Sequence, residues 1–145
     1  MKQQDRLQLL KANLGQKPSE DAPPFTRWLD GKLREILSDG LVVDFVVRRE
    51  MTNPLGILHG GLHAAILDEV IGMTVFGLVD AYPTVSVNLT VDYLGQARIG
   101  DTVTARSRIL RDGKQIVHAE CSLYKGDSLI SRASSNLIKL SFPPC

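Results

Sequence analysis

His59, Gly60 and Gly61 stand together ahead of a long apolar stretch, and Asp68 follows His59 by nine residues. Two adjacent glycines let a backbone approach another group closely, because neither carries a Cβ. If residues 59–79 are helical, the pair lies where helix N–H groups still lack partners and the dipole is positive. A carbonyl oxygen gaining negative charge during acyl transfer would be stabilised there; losing one such donor typically costs about 2.7–4 kcal/mol of barrier. The same residues would serve equally well as a tight strand-to-helix turn. Asp68, about two and a half turns into the helix, has Ala64, Ala65, Ile71 and Gly72 as helical neighbours. A carboxylate among small apolar groups is either desolvated or open to a cavity those groups leave. A salt bridge to an arginine of the sheet, or a solvated helix face, is the structural alternative. Glu69 lies about 100° further round and is the second carboxylate candidate, with Ile66 and Met73 beside it suggesting an edge position.

Other constellations point away from chemistry. His59 and His63 have the i, i+4 spacing of metal ligands, but no glutamate follows His59 and no third ligand recurs nearby, so no metal is expected. His118 stands alone in an alternating segment and reads as a surface or core histidine. No serine sits in Gly-x-Ser-x-Gly, which removes support for a serine nucleophile, and no glycine-rich nucleotide loop occurs.

The elements that must position these groups follow from periodicity and turn residues. Residues 3–14 read as a short amphipathic helix with Leu7, Leu10 and Leu14 at helical spacing, ended by Gly15. Residues 16–24 are a proline-bearing linker, and 25–29 a further helical turn. Residues 1–30 therefore read as an N-terminal helical arm and linker, with a compact domain over 31–145. Strands are expected at 32–37, 41–49, 84–94, 101–110, 115–124 and 128–140, with hairpin turns at Ser38-Asp39-Gly40, Asp112-Gly113 and Gly126-Asp127. In 84–94, Val85, Val87, Leu89, Val91 and Tyr93 alternate with Ser86, Asn88, Thr90 and Asp92. The product is an α+β domain: an antiparallel sheet of about six strands carrying one principal helix, 59–79. That helix has no continuous polar stripe, so it needs cover all round. One curved sheet covers a single side, and the other calls for a second subunit or a ligand.

Composition bounds the partners. The chain has 145 residues, 43% of them hydrophobic and 23% charged, which suits one globular domain. Seventeen Lys and Arg against sixteen Asp and Glu leave a net charge of +1, without the basic excess of a nucleic-acid binder. The stretch 62–79 approaches spanning length, but Asp68 and Glu69 at its centre argue against a membrane. Two cysteines, Cys121 and Cys145, make no disulfide framework, and the charged N-terminus lacks a signal-peptide core. A reducing, cytoplasmic setting is expected.

Taken together, Asn53, Gly56, His59-Gly60-Gly61, Asp68, Val85-Ser86-Val87-Asn88-Leu89, Tyr93 and Gly100-Asp101 resemble the hotdog-fold acyl-CoA thioesterases, most closely the phenylacetate-degradation type. The resemblance spans roughly residues 31–142. It implies a long central helix wrapped by the curved sheet, in a homodimer or dimer of dimers with active sites at the subunit interface. It further implies an acyl-CoA substrate hydrolysed without cofactor, with Asp68 as general base or nucleophile. Gly60 would offer its N–H to the thioester carbonyl, Asn53 would hold the loop and assist there, and Ser86 would orient water or the carboxylate. His59 would shape the loop, and Gly61 and Glu69 would adjoin the substrate. Asp68 and Ser86 would face Asn53 and Gly60 of the partner chain. The cations available for CoA phosphates are Arg98, Arg106, Arg111, Lys114 and Arg132. A dehydratase on the same fold would want an Asp–His dyad, and Asn53 with Ser86 points away from it. A non-catalytic acyl-CoA-binding module is the alternative.

Overall fold

The computed structural model describes residues 1–141; Cys145 lies outside them. The chain forms helices α1 (Gln3–Ala12) and α2 (Pro24–Leu29), strands β1 (Lys32–Ile36) and β2 (Leu41–Val46), and helix α3 (Gly60–Leu78). Strands β3 (Thr84–Tyr93), β4 (Thr102–Asp112), β5 (Ile116–Lys125) and β6 (Ser128–Lys139) follow. All six strands pair antiparallel in the order β1-β2-β4-β5-β6-β3, so β3 crosses to pair with β6 and forms one edge. The sheet carries α3, which gives the hotdog architecture. Three hairpins follow the expected turns. The first needs Gly40 for a different reason from turn conformation, since a Cβ there would collide with the Ser107 carbonyl oxygen.

Helix α3 has the length and mean hydropathy (1.4) of a membrane-crossing helix. Here Ile66, Leu67, Val70, Ile71 and Val75 are instead buried as the centre of the core. Against them the sheet places Ala105, Ala119, Cys121 and Ala133, small side chains that let the helix axis lie close. Burial pushes the Cys121 thiol far above its ordinary range, so this cysteine is an inert packing group.

Several sequence expectations change in detail. The second strand stops at Val46, and the chain turns through a 3-10 segment, Arg49–Met51, although Val47 still bonds to Gly100 and Asp101. The alternation of β3 does not persist as one face, because a bulge between Ser86 and Asn88 shifts the register. Leu89 and Val91 pack on the core while Val85 and Val87 stay 45% and 56% exposed.

The arm is helical, but its inward pair is Arg6 and Leu10, an i, i+4 pair, where the leucine spacing pointed to Leu7, Leu10 and Leu14. Leu14 falls beyond the helix and is exposed. Leu10 seats over Gly77, at which any Cβ would strike it. Arg6 is 2% exposed and caps the C-terminus of α3, donating from Nε to Phe76 O at 2.7 Å and from Nη2 to Val79 O at 2.9 Å. The last carbonyls of a helix lack internal partners and carry the negative dipole end, and α3 has no basic residue of its own in that turn. Arg6→Ala should therefore lower unfolding free energy by about 2–4 kcal/mol, read as a drop in the denaturant midpoint, with Arg6→Lys intermediate. Leu29 of α2 is buried too, so both arm helices contribute to the core.

Candidate active site

The site begins in the loop before α3. Asn53 Oδ1 accepts from the Leu55 N–H at 2.9 Å and the Ile57 N–H at 3.4 Å, while its own N–H donates to Ile57 O. This Asx turn, with Gly56 at φ +75°, folds the loop back so that His59 N–H reaches Met51 O. His59 then takes extended backbone angles and caps α3, its Nδ1 accepting the Gly61 N–H at 2.9 Å. The next two N–H groups, of Leu62 and His63, turn back to His59 O. Gly60 N–H is left without an acceptor among the described residues. The cap thus separates the two glycines: Gly61 is committed to His59, and Gly60 presents a donor.

Two residues that the sequence reading gave no catalytic role brace this turn. Tyr93 Oη donates to Gly60 O at 2.9 Å, and the ring lies 3.5 Å from where a Gly60 Cβ would stand. His63 packs edge-on to that ring at 5.5 Å and its Nδ1 shares a hydrogen bond with Ser131 Oγ at 2.8 Å. Burial pushes the His63 pKa down, so a neutral imidazole occupies the space. With both Nδ1 atoms engaged, His59 and His63 are structural partners of the helix start. The one sequence hint was their shared helical face.

The carboxylate lies two turns further along α3, about 12 Å from Gly60 by helical rise. Asp68 is half-buried, and the Ser86 hydroxyl donates to its Oδ1 at 3.2 Å. Glu69 turns toward the arm and accepts from Thr26 Oγ1 at 2.6 Å, a contact nothing in the sequence spacing signals. Asp68, Glu69 and Ser86 line one cavity of about 260 Å³, together with Gly72, Met73, Phe76 and Tyr82. Asn53, His59 and Gly60 do not line it. One chain therefore holds two separated groups: a carboxylate with a hydroxyl beside it, chemically able to take a proton from water or attack directly, and a helix N-terminus able to polarise a carbonyl.

Of the candidate cations, Arg111 and Lys114 share a second cavity of about 560 Å³ with Gln115 and His118 on the β4–β5 hairpin. Neither makes an ion pair among the described residues, whereas Arg132 lies 3.8 Å from Glu120. His118 is held there by Asn136 Oδ1 at 3.0 Å from its Nδ1.

Comparison with known proteins identifies the family. The Thioesterase superfamily profile matches residues 55–131, a segment that runs from the Asx loop through α3 into β6. Acyl-coenzyme A thioesterase 13 of Mus musculus is 32% identical over 102 residues, covering 70% of this chain and 73% of that protein. The Escherichia coli PaaI protein from the phenylacetic acid degradation operon superposes with a TM-score of 0.77 at 18% identity, over 85% of this chain and 88% of that one. The Streptococcus mutans protein smu.793, bound to acetyl CoA, superposes with a TM-score of 0.75 at 16% identity, over 87% and 98% of the two chains. With the hotdog fold and the family profile in agreement, the chain belongs to the thioesterase superfamily, the thioester hydrolases of this architecture.

Proposed function

We propose that this chain hydrolyses acyl-CoA thioesters at sites shared between two subunits, with Asp68 as the base or nucleophile. The observation that carries the reading is the division of labour along α3. A half-buried carboxylate hydrogen-bonded by Ser86 stands at one position, and an N–H at Gly60 with no acceptor among the described residues stands about 12 Å away. Those groups are too far apart to serve one carbonyl, and a second copy related by a twofold axis would bring each against its complement.

The edge strand supplies a surface for that second copy. Among the described residues the outer side of β3 has no neighbouring strand, and Val85 and Val87 lie exposed along it. An edge of this length with exposed valines is a liability unless another strand or subunit covers it.

In the reaction, Asp68 takes a proton from water while the hydroxide oxygen attacks the thioester carbonyl carbon. The carbonyl oxygen gains charge facing Gly60 N–H of the partner chain. Collapse of the tetrahedral intermediate breaks the C–S bond, and the proton passes from Asp68 to the departing thiolate. If Asp68 attacks directly, the C–S bond breaks, the thiolate leaves to be protonated by solvent, and the resulting mixed anhydride is cleaved by water to the free acid and the Asp68 carboxylate. Thiolate leaves readily, so activated water and a polarised carbonyl suffice for the chemistry. CoA carries phosphates, and Arg111 with Lys114, in a separate cavity, offers them positive charge that makes no ion pair among the described residues. The relative in mouse is named for the same substrate class, and smu.793 is bound to acetyl CoA. Free buried Cys121 suits a reducing cytoplasmic compartment.

A panel of acyl- and aryl-CoAs, followed by release of free thiol, tests the activity. At least one member should turn over with kcat of about 1 s⁻¹ or more. Light scattering on the same sample should give a mass of at least twice the 15.9 kDa chain. Binding of every thioester without thiol release would replace the hydrolase with a binding module, and an active monomer would remove the shared site.

A further inference from the structure

We propose that Phe76 and Tyr82, braced by Arg6 from the N-terminal arm, form the end wall of the acyl pocket and limit the acyl groups accepted to about ten carbons. This rests on the thioesterase reading of Asp68 and adds to it a substrate class. Asp68, Gly72 and Phe76 recur at i, i+4 and i+8, and so share one face of α3. A Cβ at Gly72 would meet nothing within 4 Å, which leaves the middle of that face open. The cavity beginning at Asp68 follows this face, with Met73 and Leu137 beside it, and reaches Phe76 and Tyr82.

The two rings meet edge-on, with centroids 5.8 Å apart and planes at 82°. Behind them the Arg6 guanidinium stands 5.8 Å from the Phe76 centroid and 5.5 Å from that of Tyr82. Its position is fixed by the carbonyls of Phe76 and Val79, and it is buried. A cation held by backbone on one side and by two aromatic faces on the other cannot yield easily to an advancing chain. From Asp68 to Phe76 the helix rises about 12 Å. Since an extended chain advances roughly 1.2 Å per backbone bond, at most about ten carbons fit before the wall. Aryl-acetyl groups fit as well, and the ring edges with Met73 give an aromatic guest favourable contacts.

The test compares S-hexyl-, S-decyl- and S-hexadecyl-CoA thioethers by calorimetry, and the matching thioesters by thiol release. The wild-type protein should bind the hexadecyl compound at least about tenfold more weakly than the decyl compound, with the same order in KM. In Tyr82→Ala and in Arg6→Ala the long-to-short ratio of kcat/KM should rise about tenfold, and Arg6→Lys should bring it part of the way back. A purely structural role for Arg6 would depress all chain lengths alike and leave the ratio where it was, which overturns the proposal. Tyr82→Ala decides the matter if Arg6→Ala does not fold. Length-selective thioether binding without any hydrolysis would remove the thioesterase reading and keep the wall. Equal affinity for all lengths, or affinity for none, would remove the wall.

Discussion

Asp68→Asn should abolish thioester turnover, lowering kcat by about a thousandfold or more, while a non-hydrolysable thioether binds almost as before. The substitution is nearly isosteric, and the amide oxygen can still accept the Ser86 hydroxyl, now 3.2 Å from Oδ1. What disappears is the basic and nucleophilic oxygen. The loss should therefore fall on kcat and spare binding, the pattern of an interaction needed only in the transition state. Measurement requires thiol release for kcat and calorimetry for binding, with circular dichroism to confirm the fold. Near-normal turnover in this variant would transfer the role elsewhere. Glu69 is the neighbouring carboxylate, but its Oε1 already accepts from Thr26 at 2.6 Å.

Gly60→Pro should keep the fold and cost about 10²–10³ in kcat, the usual value of one oxyanion donor. Proline is well suited to the first position of a helix, where its missing N–H is not part of the ladder. His59 already has the extended angles, φ −62° and ψ 140°, that a residue before proline prefers. The new Cβ would meet the Tyr93 ring at 3.5 Å, an ordinary contact. The variant thus removes a hydrogen-bond donor and puts the ring Cδ where its hydrogen pointed, with little change to the fold. Gly60→Ala is the control: it retains the N–H and should retain most of the rate. If proline and alanine behaved alike, the donor would have no part in the reaction.

Much of the fold was legible because its signals are local. The hairpin glycines, the alternation of β4 and β5, and an unbroken apolar helix each state their structure within a dozen residues. The His59-Gly60-Gly61 turn and Asp68 were legible for the same reason, since both lie on one helix. Spacing alone did not separate Gly60 from Gly61, and only the family resemblance gave them different roles; the physical distinction depends on which N–H the His59 ring takes. The arm was harder still. Arg6 reads as a solvated residue of an amphipathic helix, yet its partners are carbonyl oxygens some 70 residues away, and carbonyls leave no mark in side-chain patterns. The Thr26–Glu69 bond and the β3 bulge are hidden in the same way, being products of packing between distant segments.

The seating of Arg6 also bears on the order in which the protein is made and unmade. Its acceptors lie 70 and 73 positions downstream, so α1 leaves the ribosome long before there is anything for it to hold. A ten-residue helix is marginal alone in water, and α1 must wait for the finished C-terminal turn of α3. Contacts that close last are those missing from the folding transition state, and they govern how fast the native chain opens. If the arm docks after the folding transition state, it is a latch on lifetime: Arg6→Ala would then speed loss of the native chain on the unfolding limb of a chevron while leaving the folding limb almost untouched.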